Sequence, residues 1–192
     1  MHGSGSETAT SRLRDEHRWI LRVADVLERL VERAEVEGET DYEAFGDCVT
    51  FVRLFADACH HGKEEDLLFP ALEAQGMPRD AGPIAVMLLE HRQGREYARF
   101  MGEAIEPARA GDEAAHRRLL NAARGYVALI RGHIGKEDNV LFEMADQMVR
   151  GPGCQRLCGS YEAVCARHFE GRSKRQLEEL AVALERRVPL DS

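Results

Sequence analysis

The chain has no run of basic residues, no apolar stretch near the eighteen or so residues a membrane-spanning helix needs, and no alternating series of β-branched residues. With a net charge of −8, the missing basic run argues against nucleic acid or an anionic membrane as the main partner and points to a small ligand or a metal. The missing apolar stretch excludes a transmembrane helix. The N-terminus, MHGSGSETAT, also lacks the basic-then-apolar layout of a secretory signal, so a cytoplasmic protein is expected. Cysteine is sparse and odd in number: five, at positions 48, 59, 154, 158 and 165, in no pattern typical of a small disulfide scaffold, so reduced thiols are expected.

Helical periodicity is what the chain has in quantity. With 192 residues and 44% hydrophobic content it can build one ordinary domain with a real core. Leu13, His17, Ile20, Leu21, Ala24, Leu27 and Val31 form one stripe of a first helix that ends before Gly38. Thr40 and Glu43 predict a capping box for a second helix, which Gly76 and Pro78 stop. A third starts at Pro83 and ends around Pro107 and Gly111, and a fourth, capped by Asp112, reaches Val149. Short connections favour an all-α, up-down-up-down four-helix bundle over residues 9–151. Residues 1–8 are expected to be a disordered tail. Residues 152–192, with a Ser173 to Gln176 capping box, are expected to form a C-terminal helical extension packing on the bundle or on another subunit, which would give a homodimer.

The second and fourth helices contain a repeat. HHGKEEDLLF at 60–69 aligns without a gap to HIGKEDNVLF at 133–142, matching His60 to His133 and Glu64 to Glu137. Nearly the same offset relates Glu16-His17-Arg18 to Glu90-His91-Arg92, so two helical hairpins look like copies of each other. His and Glu four residues apart stand one above the other on a helix face, here the face carrying the apolar residues. His17 and His91 sit in register with apolar stripes of their own. Four helices thus aim four imidazoles and two carboxylates at the middle. Two ionised carboxylates in an apolar interior cost several kcal/mol per ion unless something neutralises them, and neutral imidazoles bring no positive charge. Two divalent cations, bridged by Glu64 and Glu137 and capped by His17, His60, His91 and His133, would satisfy every group. Mixed nitrogen and oxygen ligation suits iron, with manganese or zinc as credible occupants.

This ordered set, a lone His on the first and third helices and His-x3-Glu on the second and fourth, resembles the hemerythrin-like family of HHE cation-binding domains over roughly residues 10 to 150. The resemblance implies that the four histidines are terminal ligands and that Glu64 and Glu137 bridge two irons together with an oxo or hydroxo group. It also implies binding or reduction of oxygen, peroxide or nitric oxide, or alternatively an iron, oxygen or redox sensor or an iron-handling module for storage or iron-sulfur repair. Oxygen-carrying members have a further His four residues after the third-helix ligand, where this chain has Arg95. That departure implies fewer protein ligands, a more open site, and redox reactivity over oxygen carriage.

His61 and Glu65 are the next candidates as ligands if the second helix is rotated by one position, and are otherwise expected to face solvent or to support the ligands. Lys63 and Lys136 are expected on the outside. Asp138 is an alternative to Glu137, which the repeat favours. Tyr126, seven residues before His133, shares its face and could donate to a bound oxygen species, or be an ordinary core tyrosine. Cys154, Cys158, Cys165 and His168 line one face in no recognisable zinc spacing and read as packing; His2 and His116 read as surface residues.

Overall fold

The computed structural model describes residues 8–165 and 170–189, the side chain of Cys165 excepted. It is an all-α helical bundle, with no strand among the described residues. Of the expected tail, residues 1–7 lie outside the description. Thr8 accepts a hydrogen bond from Ser11 at the start of α1, Ser11–Val36.

The second rod begins as α2, Tyr42–Phe51, continues through π-helical turns at Val52–His61 and Glu64–Leu68, and ends in α3, Phe69–Glu73. Its cap is Asp41, whose carboxylate accepts from the Ala44 amide, and not the expected Thr40. Aspartate one residue later does the same work with a formal charge at the positive end of the helix. Next come α4, Gly82–Arg109, and α5, Glu113–Lys136, capped by Asp112 as its sequence suggests. A π-helical turn at Glu137–Leu141 leads from α5 into α6, Phe142–Met148. The π turns at Glu64–Leu68 and Glu137–Leu141 coincide with the repeated motif. Pro70, which has no N–H to return to the carbonyl four residues back, explains a widened turn in the second rod but has no counterpart in the fourth.

Two shorter helices complete the chain, α7 at Pro152–Cys165 and α8 at Lys174–Arg187, the latter opened by the Ser173–Gln176 capping box. The apolar interior divides into two clusters. One, built around Leu27, Phe45, Phe55, Met101 and Leu119, is closed by Leu177, Ala181 and Leu184 of α8. The other, built around Leu13, Phe69, Ile84 and Phe142, is closed by Leu157, Cys158 and Tyr161 of α7, and the Tyr161 hydroxyl donates to the Ala9 carbonyl at 2.8 Å. The four histidines and two glutamates of the repeat belong to neither cluster. Cys48 is a free thiol, but Cys59 is disulfide-bonded, which corrects the expectation of reduced thiols throughout. Cys154 and Cys158 pack within the second cluster, as read from sequence; the Cys165 side chain and His168 lie outside the described residues.

Candidate metal centre

All six residues singled out by the repeat are brought to one place, and each is at most 2% exposed. Glu64 stands between the two halves, with Oε1 3.7 Å from His60 Nε2 and Oε2 3.3 Å from His91 Nε2. Glu137 mirrors it, with Oε1 3.2 Å from His133 Nε2 and Oε2 3.1 Å from His17 Nε2. Each carboxylate therefore spans one imidazole from its own rod and one from the opposite hairpin.

The outer nitrogens settle the tautomers. His17 Nδ1 lies 3.0 Å from Asp138, His60 Nδ1 3.1 Å from Glu16, His91 Nδ1 2.7 Å from Glu65, and His133 Nδ1 3.0 Å from Glu90. A carboxylate only accepts, so each Nδ1 carries the proton and donates, leaving the Nε2 lone pair aimed inward. Such a carboxylate behind the ring fixes its orientation and raises its basicity as a ligand. The partners follow the duplication: the acid before each first-helix histidine serves the second-rod histidine, and the acid after each bridging glutamate serves the opposite hairpin.

Two residues expected at the surface are inside. Lys63 is buried and ion-paired to Glu16, which also receives Lys174 of α8 at 2.7 Å. Its repeat partner Lys136 holds Glu90 at 2.5 Å and remains half-exposed, so only Lys136 matches the outward expectation. The cost of burying the Lys63 ammonium is offset by Glu16, whose carboxyl burial pushes up but His60, Lys63 and Lys174 hold far below its usual range.

The larger correction is His61. It is 4% exposed, its ring stacks on His91 at 3.9 Å between centroids, and neither of its nitrogens has a hydrogen-bond partner. A π turn holds more residues per turn than an α turn, so consecutive side chains are separated by a smaller angle, and His60 and His61 both face inward. A fifth imidazole thus faces the interior from the second rod. Arg95 pairs with Asp57 and Glu65, each at 2.7 Å. Asp57 lies 3.6 Å from His61 Nδ1 and Glu65 backs His91, so one guanidinium braces the supports of two rings. Asp57 four residues before His61 was the available sequence signal, hidden by the assumption of a regular α-helical face.

Among the described residues, the inward atoms form two groups whose members lie within 4.8 Å of one another: His61, Glu64, His91 and His133, and His17, His60, Glu64 and Glu137. Both oxygens of Glu64 and of Glu137, and the Nε2 atoms of His61, His91 and His133, are buried without a hydrogen-bond partner. His17 Nε2 and His60 Nε2 face each other at 3.0 Å. Lone pairs converging in a dry interior repel unless a proton or a cation sits among them, and the donor set fits a cation on both sides of the carboxylate pair.

The titration properties of the groups, taken without a cation, tell the same story. Burial and the neighbouring Glu137 push Glu64 well above its usual range. Burial also pushes Glu137 up, but His133 and His17 hold it well below. Burial lowers His60, His61 and His91 to about 3, so they are neutral. Burial would lower His133 too, yet Glu137 and Glu90 raise it to about 9.

The HHE cation-binding profile of the hemerythrin family matches residues 8–145. The chain belongs to that family. An uncharacterised protein of Mycobacterium tuberculosis is 26% identical over 135 residues, 70% of this chain and 52% of the relative, and a protein of Mycobacterium bovis matches equally. The iron-sulfur cluster repair protein YtfE of Salmonella schwarzengrund is 35% identical over 89 residues, 45% of this chain and 40% of the relative. The chain thus spans about half the length of the curated relatives it matches. No solved structure matches. Within a hemerythrin HHE domain, the buried histidine and glutamate groups mark a metal-binding site.

Metal loading at this hemerythrin centre is expected to depend on pH in a definite direction. His133 must surrender a proton to offer its Nε2, and below about 9 the metal-free protein holds that proton. Apparent affinity for a divalent ion should rise at least tenfold per pH unit between pH 6 and 8, with proton release seen as a buffer-dependent binding enthalpy. An affinity flat across that range would contradict the assignment.

Proposed function

We propose that this chain holds two iron ions and binds or reduces a small oxidant, namely oxygen, peroxide or nitric oxide, at a carboxylate-bridged centre. His61, His91 and His133 would serve one ion and His17 and His60 the other, with Glu64 and Glu137 bridging. Manganese or zinc would satisfy the same donors. The observation that carries the reading is the arrangement of the two glutamates, each with one oxygen turned to either group of imidazoles. Five imidazoles against two carboxylates leave the first group with three nitrogen donors and the second with two. When bound, a diiron pair supplies two electrons and an open position for the oxidant. The chain's own residues hold the ligand rings by their Nδ1 protons, exclude water with the two apolar clusters, and keep the Tyr126 hydroxyl, buried and unpartnered, as a donor on the His61 side.

Metal analysis of anaerobically purified protein, with an absorption spectrum of its oxidised form, tests the centre; catalytic decomposition of peroxide or nitric oxide tests the activity. His61→Ala is expected to lower bound metal from two ions towards one per chain and weaken the remaining site at least tenfold, measured by elemental analysis and metal titration. Unchanged stoichiometry and affinity would return His61 to a packing role. A second reading, a sensor or iron-handling module without turnover, draws on the Lys174 contact, which joins α8 to His60 through Glu16. Binding that alters the contacts of α8 without any turnover would select it.

A further inference from the structure

The symmetry of the two hairpins fails on one side, where His61, Asp57 and Arg95 have Ile134, Ile130 and Leu21 as their counterparts. On that side a cleft of about 490 Å³ opens between the second rod and α4. Its buried part is formed by His61 and Tyr126, its walls by Val49, Val52 and Ala98, and its exposed rim by Arg53 and Arg99. A diatomic gas or peroxide needs space comparable to one water, roughly 30 Å³. The cleft is many times larger and falls in the range of sites for organic ligands.

We propose that this cleft is a binding site for an amphipathic organic monoanion, such as a medium-chain carboxylate, whose tail lies on the apolar walls and whose head group meets the arginines of the rim. Three guanidiniums line the cleft, Arg53, Arg95 and Arg99, together with the carboxylates of Asp57 and Glu103. Arg95 is committed to Asp57 and Glu65. Among the described residues, Arg53 pairs with Glu170, at 3.7 Å, and Arg99 pairs with its helical neighbour Glu103 while lying over the Phe100 ring, both ion pairs being exposed and readily exchanged for a ligand's charge. One further atom points to a ligand: the Tyr126 hydroxyl is buried without a hydrogen-bond partner and lines this cleft. The proposal draws on the assignment of His61 to the metal centre, because it places the organic ligand beside that ring.

The test is calorimetric titration of the metal-loaded protein with decanoate and with decanol. Decanoate should bind saturably at one site per chain and at least fivefold more tightly than decanol. The double variant Arg53→Gln/Arg99→Gln should erase that preference. Gly102→Leu is the blocking variant. Gly102 is exposed on α4, a Cβ there would lie 3.7 Å from Val49 across the cleft, and leucine suits the helix better than glycine. It should reduce decanoate binding at least tenfold while its metal content and circular dichroism match the parent. Ala98→Leu, deeper on the same wall, should act likewise. Equal binding of decanol and decanoate, binding untouched by Gly102→Leu and Ala98→Leu, or no saturable binding would each overturn the proposal. A parent protein that takes up no metal would instead overturn the function proposed above, so the two failures are distinguishable.

Discussion

Chelation of the bound metal is expected to lower the melting temperature by roughly 10–20 °C. Each cation present at about a hundred times its dissociation constant adds about 2.7 kcal/mol to the folded state, so two add about 5 kcal/mol. For a chain of this size about 1 kcal/mol corresponds to roughly 2–4 °C. The physical source is the set of groups left facing one another without the ions: four carboxylate oxygens and three imidazole nitrogens, buried and unpartnered. Differential scanning calorimetry of loaded and chelated protein measures the difference. Coincident transitions would mean that protons and packing alone hold this interior together.

Replacing the shared carboxylate separates the two roles of charge at the centre. Glu64→Gln should abolish binding of the second metal ion, weaken the first at least a hundredfold, and remove most of the response to chelator, because an amide oxygen is a weak ligand and bridges nothing. The chelated variant, however, should melt at the same temperature as chelated parent or a few degrees above it. Without a cation, burial and Glu137 raise the Glu64 carboxyl above its unfolded-state value. A carboxyl shifted in that direction binds more protons folded than unfolded. Its contribution therefore favours the folded state at low pH and is lost as pH rises from about 4.3 through the raised value. Glutamine is neutral at every pH and close in shape, so the variant should lack this loss, and its advantage over chelated parent should widen with rising pH. A variant that melts far below chelated parent at pH 7 would mean that the ionised carboxylate itself stabilises the fold.

Much of the centre was legible because its chemistry is repeated. His-x3-Glu occurs twice with the same surroundings, and a pair of i, i+4 residues must share a helix face, so His60, Glu64, His133 and Glu137 converge once the apolar stripe is known. The Glu-His-Arg repeat placed His17 and His91 in the same way. The supporting carboxylates were present in the repeats as well, since Glu16 and Glu90 precede the first-helix histidines and Glu65 and Asp138 follow the bridging glutamates. Their pairing crosses between helices, and no spacing along one helix encodes it.

Periodicity and burial cost, both one-dimensional, thus determined the helical class, the helix ends marked by Asp112 and Ser173, and the six inward groups. Only the tertiary structure decided that His61 turns inward, that Lys63 is buried against Glu16, and that Arg95 braces Asp57 and Glu65. The reason is geometric. A π-helical turn shifts the face of every residue beyond it by a fraction of a turn, and a buried charge is tolerated or not according to partners that lie tens of residues away in the chain.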